Sequence, residues 1–167
     1  VMNPNGDITG PFMNYYRVAV RNPGTVVKRN GIPLTGLINN FYYEFTSDSG
    51  DYIEADGPVL VAQYAVSINQ CSGNIDPPYG DPEMLYLSPV EQGVKNAYFY
   101  ATRKESIDLN FVNIIIPQSG LASLLIDGAP PATGEFFPHP ANPQYAVVVR
   151  RLFGAAAQHH LQSDSTF

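Results

Sequence analysis

Apolar and polar positions alternate along much of the chain, and the alternation predicts strands. Asn14–Arg21 is the clearest case: Tyr15, Arg17, Ala19 and Arg21 alternate with Tyr16, Val18 and Val20, the period of two that sends successive side chains to opposite faces of a sheet. Asn22-Pro-Gly24 turns the chain, and Thr25–Arg29 predicts a second strand. Asn30-Gly31 then reads as a two-residue hairpin turn, because a type I′ turn needs positive φ at both central residues, and Ile32–Leu37 returns. Phe41–Thr46 alternates again. Tyr52–Glu54 leads through the helix-breaking Asp56-Gly-Pro58 into an apolar run, Val59–Ile68.

Asn69–Pro82 carries no pattern, and loops of that length are uncommon unless functional or disordered. Met84–Leu87, Asn96–Thr102 and Asn110–Ile116 predict strands, the last an apolar run suited to the centre of a sheet. Leu121–Ile126 predicts another, ending in a second hairpin signal, Asp127-Gly128. Ala129–Pro143 is a Pro-rich loop, Gln144–Arg151 a strong strand, and Gly154–Leu161 admits either strand or a turn of helix. No amphipathic helix of ten or more residues appears. The expected fold is all-β, an antiparallel β-sandwich-like module.

Two stretches echo each other. Thr25-Val-Val-Lys-Arg-Asn-Gly-Ile-Pro33 and Ser123-Leu-Leu-Ile-Asp-Gly-Ala-Pro130 each run strand, Asn/Asp-Gly, residue, Pro. Each is followed by an aromatic-bearing segment and a polar turn, Glu54-Ala-Asp56 and Gln162-Ser-Asp164. This reads as two related β units, at about 14–70 and 84–167, within one module spanning 1–167. Against it stands the commonness of Asn-Gly and Asp-Gly turns in hairpins. On the duplication reading the second unit stops where Pro58–Tyr64 would begin, which places the last strand of the fold beyond Phe167.

Composition narrows the class. The chain of 167 residues can bury a sizeable core without metal or disulfide. Its 11 Tyr, 9 Phe, 14 Gly and 15 Pro suit short strands joined by tight turns. Only 14% of residues are charged, a balance more typical of a secreted or surface β module than of a cytosolic enzyme. The net charge of −6 opposes binding to nucleic acid, and no apolar run reaches the ~20 residues of a membrane helix. Cys71 is the lone cysteine, so it is free or pairs outside the chain.

Seven motifs come in one order: Tyr16-Arg-Val-Ala-Val20, Val26-Val-Lys-Arg-Asn-Gly31, Pro58–Tyr64, Gly80-Asp-Pro-Glu-Met84, Pro89-Val-Glu-Gln92, Phe111–Ile116 and Leu125-Ile-Asp-Gly128. Together they resemble the IgGFc-binding protein N-terminal domain family, whose members include the N-terminal region of the mucus Fc-binding protein of animals and many bacterial secreted or surface proteins. The resemblance implies an extracellular or cell-surface, non-catalytic adhesion or recognition module. Its partners would be an extracellular protein or glycan: mucin, antibody Fc or a surface polysaccharide. It assigns no Fc-contacting residue, since the motifs read as turn and core positions. A passive structural spacer or filament-forming domain of a multidomain surface protein is the alternative.

The residues offer few chemical sites. Asp76, Tyr79, Asp81 and Glu83, in the long loop, are the candidate ligand-binding residues, with exposed tyrosines nearby. Asp76, Asp81 and Glu83, joined by Asn74, could also supply oxygens to a calcium ion. Turn acids more often cap backbone N–H groups, and Asp81 before Pro82 suits an Asx-turn. No other cofactor is expected. His139, His159 and His160 with Ser163 and Asp164 carry the residue types of a hydrolase, but no Gly-x-Ser-x-Gly elbow accompanies them. His159 and His160, adjacent on a strand, would point to opposite faces and so could not share a zinc ion. Of Tyr15, Tyr16, Phe41, Tyr42, Tyr43, Phe45, Tyr98, Phe99 and Tyr100, alternation sends half to the core, and the outward half could form a platform for sugars or protein, although core or cross-strand pairing is the expected role of most.

Overall fold

The first strand, β1 (Asn14–Val20), buries Val18 and Val20 and leaves Tyr15 and Arg17 exposed, as its alternation dictates. The computed structural model describes residues 13–65, 83–104, 110–154 and 157–167. The chain divides into two compact units, Val1–Ser88 and Pro89–Phe167.

In the first unit β1 is followed by β2 (Val27–Arg29), β3 (Ile32–Pro33), β4 (Tyr42–Ser47), β5 (Ile53–Ala55), β6 (Val59–Tyr64) and β7 (Met84–Leu87). They form two antiparallel sheets, ordered β4-β1-β6-β7 and β3-β2-β5. The sheets share a core of Val18, Val20, Val27 and Tyr43, flanked by Leu34, Phe45, Ile53, Val59 and Val61. Each fully buried valine contributes roughly 1.5–3 kcal/mol.

The second unit contains β8 (Asn96–Ala101), β9 (Asn110–Pro117), β10 (Leu125–Ile126), β11 (Phe136–Pro138), β12 (Tyr145–Leu152) and β13 (Ala157–Gln162). Its sheets are ordered β10-β13-β8 and β11-β12-β9, again antiparallel. Ile114, Ile116, Leu124, Ile126, Ala146, Val148 and Leu161 make their common core. The all-β expectation holds: the described residues form four small sheets, and the helical turns among them are 3-10 turns at Val90–Gln92 and Gln118–Ser123. The ambiguous Gly154–Leu161 stretch yields strand β13.

One expected strand is mostly something else. Leu121–Ile126 is strand only at its last two residues, because Leu124 N–H donates to the Leu121 carbonyl at 3.2 Å and Ser123 Oγ donates to the Gly120 carbonyl at 2.9 Å. Those three-residue closures tighten the chain into the 3-10 turn. The Pro-rich loop in turn contains a short edge strand, β11, ending at Pro138, where a missing N–H is tolerated.

The internal echo extends to hydrogen bonds. Asn30 N–H donates to the Tyr52 carbonyl, and Tyr52 N–H donates to Asn30 Oδ1, both at 2.8 Å. Asp127 and His160 repeat the pair: Asp127 N–H to the His160 carbonyl and His160 N–H to Asp127 Oδ1, both at 2.8 Å. Both turns have left-handed φ at the two central residues, 53° and 81° for Asn30-Gly31, 53° and 79° for Asp127-Gly128. The type I′ signal is borne out twice.

Strand pairing follows the same scheme, β1 with β4 as β9 with β12, and β2 with β5 as β10 with β13. Buried Val18 and Val20 then correspond to Ile114 and Ile116, and Asn14 to Asn110. One half-buried arginine has changed strand. Arg29 lies 4.5 Å over the Phe45 ring in the first unit; the corresponding residues of the second are Ile126 and Arg150, whose guanidinium reaches the Ile126 carbonyl at 3.4 Å. Each guanidinium keeps an acid, Asp51 at 2.9 Å and Glu135 at 2.7 Å.

Candidate functional site

Because residues paired across a sheet share a face, the registers of the first unit define its outer surface. One row places Tyr15 between Thr46 and Tyr64, with Met84 beyond. The next places Arg17 between Glu44 and Ala62, with Tyr86 beyond, and the third places Ala19 between Tyr42 and Leu60. Four tyrosines thus surround one arginine. Arg17 Nε donates to Glu44 Oε2 at 2.6 Å, and its guanidinium carbon lies 5.2 Å from the Tyr42 ring and 5.4 Å from the Tyr64 ring. Tyr86 is 62% exposed, and Tyr15, Leu60 and Met84 are exposed as well. Tyr, Met and Arg are the residues enriched where proteins meet proteins.

Glu83 lies beside this surface. Its carbonyl accepts from the Ala65 N–H at 2.8 Å, continuing the β6–β7 ladder by one step, and Glu83 itself is exposed. Asp76, Tyr79 and Asp81, with Asn74 and Cys71, lie outside the described residues. Among the described residues no cluster of three or more His, Cys, Asp or Glu is placed to hold a metal ion.

The second unit carries a smaller face on β8 and β13. Tyr98 and Tyr100 are exposed while Phe99 turns inward, as alternation requires. Asn96, Tyr98 and Tyr100 sit opposite Gln162, His160 and Gln158. His160 stacks on Tyr98 with centroids 4.3 Å apart, and its Nε2 lies 3.0 Å from Asn96 Oδ1. At the Asn96–Gln162 end the face opens into a cleft of about 520 Å³ lined by Lys95, Ala122, Ser123, Leu125, Ser163 and Asp164.

The structure separates the residues a hydrolase would unite. His159 packs on Phe99 and binds Asp127 Oδ2 through Nδ1 at 2.7 Å, on the face opposite to His160. Ser163 Oγ lies 2.8 Å from Ser123 Oγ, and His139 Nδ1 accepts from the Asn142 N–H at 3.2 Å in the loop after β11. The carboxylates are tuned for structure. Desolvation opposes ionisation of Asp51, but hydrogen bonds from Arg29 and Asn30 outweigh it and hold the group below the usual range. Asp127 is lowered in the same way, with desolvation overcome by His159 and the His160 backbone N–H. Glu135 is lowered by Arg150 first of all, and burial raises the Tyr16 phenol.

The geometry is that of an all-β module with tyrosine-lined sheet faces. The chain belongs to the IgGFc binding protein family, whose model matches residues 2–167. No curated protein and no solved structure matches it. Sequence reading offered nine aromatics, Tyr15, Tyr42, Tyr98 and Tyr100 among them, without deciding which half faces outward. It missed Tyr64, Tyr86 and Arg17, whose alternation could have been read but whose shared surface depends on strand order.

Proposed function

We propose that this chain is an extracellular, non-catalytic recognition module that binds a protein ligand through the outer face of β4-β1-β6-β7. The carrying observation is the set of four tyrosines around Arg17, with Met84 and Leu60 exposed beside them. Tyrosine supplies large contact area with little loss of conformational freedom, and binding hot spots are enriched in tyrosine and arginine. Membership of a family described by Fc binding supports a protein ligand. Antibody Fc and mucin are the first ligands to test.

The test is surface plasmon resonance of the full chain over immobilised Fc and over mucin, with and without chelator. Saturable binding that Tyr86→Ala weakens by about tenfold or more supports the reading. Absence of binding by a folded chain overturns it in favour of a structural spacer. Loss of binding in chelator would show a divalent-cation requirement, with Asp76, Asp81 and Glu83 as the candidate ligands to substitute next.

A second reading, glycan binding, is favoured by the face of the second unit. Tyr98 and Tyr100 offer flat apolar surface, and Asn96, Gln158 and Gln162 offer amide hydrogen bonds around it. A glycan array probed with wild type and Tyr98→Ala decides it, since signals that the variant retains exclude this face.

A further inference from the structure

The two units differ at one sheet edge. In the first, β1 lies between β4 and β6; in the second, the corresponding strand β9 has β12 on one side and, among the described residues, no strand on the other. The phase of the ladder tells which groups face the open side. Gln118 N–H donates to the Gln144 carbonyl at 2.7 Å, one step past the Pro117–Tyr145 pair. Ile116, Ile114 and Val112 therefore exchange hydrogen bonds with β12, and Phe111, Asn113 and Ile115 direct N–H and C=O away from it.

In the first unit those positions are Tyr15, Arg17 and Ala19, and each is paired, with Tyr64, Ala62 and Leu60 of β6. The Arg21 N–H donates to the Pro58 carbonyl at 3.3 Å in the same phase. Pro117 stands where Arg21 stands and has no N–H, so the open edge ends there. The side chains agree with the backbone. Val59 and Val61 of β6 sit opposite Val20 and Val18 and pack on the first core; the matching Ile116 and Ile114 carry the second core.

We propose that the open edge of β9 is a strand-acceptor site. Its occupant is an extended peptide segment of β6 chemistry, running antiparallel, with branched apolar residues facing Ile116 and Ile114. Its backbone bonds to Ile115, Asn113 and Phe111. An unpaired edge is a ready template for strand addition, in which main-chain bonds give affinity and alternate side chains give register. The inference goes beyond recognition by the tyrosine faces, and the acceptor edge itself, Phe111, Asn113 and Ile115, contains none of their residues.

The test appends the Pro58–Tyr64 heptapeptide after Phe167 through a flexible Gly/Ser linker, which makes pairing intramolecular. Phe167 packs on the second core, to which Ile114 and Ile116 of β9 also belong. Amide exchange at Phe111, Asn113 and Ile115 should slow by about tenfold or more relative to a scrambled-peptide fusion. Asn113→Pro removes one outward N–H at an edge position that tolerates proline, and should abolish that protection while the chain stays folded by circular dichroism. Unchanged exchange at all three amides overturns the proposal, as does protection that survives Asn113→Pro. Self-association through β9 that the heptapeptide cannot displace also overturns it, because the occupant would then be a second copy.

Discussion

Asp127 and His160 hold each other by two backbone-directed hydrogen bonds of 2.8 Å, one donated by each residue. Asn30 and Tyr52 do the same in the other unit. The shared demand is a short side-chain oxygen on a residue that accepts a φ of 53°, which restricts the position to Asn or Asp.

Asp127→Asn should therefore cost less than Asp127→Ala, at most about 1 kcal/mol, because the amide oxygen can still accept from His160 as Asn30 does from Tyr52 and only the exposed contact with His159 is weakened. Asp127→Ala removes that acceptor and puts a Cβ-bearing residue without side-chain compensation in the left-handed region. It should cost about 1–2 kcal/mol. Urea denaturation of the three proteins checks both outcomes.

Two glycines should respond differently to Ala. Gly128 has φ 79° with nothing near its missing Cβ, so only conformational strain opposes substitution, about 1 kcal/mol. A Cβ on Gly120 would lie 2.4 Å from the Ser165 Cβ, and Gly120 is buried. Gly120→Ala must displace Ser165 and should cost at least about 2 kcal/mol. Thermal melts that rank the two in the other order would refute the close approach.

Arg17→Ala tests whether the arginine organises the outer face or supports the fold. Its ion pair with Glu44 is solvent-exposed on both sides, and such pairs add little stability. The melting temperature should move by no more than about 2 °C. If the outer face binds Fc or mucin as proposed, affinity should fall by about tenfold, as Tyr42 and Tyr64 lose the guanidinium between them.

Stability should fall in acid. Asp51, Asp127 and Glu135 all have folded-state values below their ordinary 3.8, 3.8 and 4.5. A depressed carboxylate adds stability that is fully present above its unfolded value and disappears as pH drops through its folded one. These three terms therefore leave urea midpoints level from about pH 7 to 5 and lower them below about pH 4. Asp51→Asn should make the acid slope shallower, and an unchanged slope would show that the Arg29–Asp51 pair contributes nothing to it.

Much of this molecule is written in short-range patterns. The alternation of Asn14–Arg21 fixes which residues of β1 face inward, and Asn30-Gly31 and Asp127-Gly128 fix two turns, because period and positive φ are properties of a few adjacent residues. The seven ordered motifs point to the family for the same reason. Leu121–Ile126 shows the limit: its apolar residues suit a strand, yet Ser123 and Gly120 close a 3-10 turn by local hydrogen bonds that no periodicity reports. Other features needed distant partners. Tyr15, Tyr64 and Tyr86 become one surface only through the order β1-β6-β7, and Arg150 is the counterpart of Phe45 only once β12 is in register with β9. The open edge of β9 is likewise a matter of which strand lies beside which. Sequence by itself determined strand faces, turns and family membership, since these rest on local backbone preference; pairing over tens of residues is a tertiary choice, and that choice assembled the faces and left the edge open.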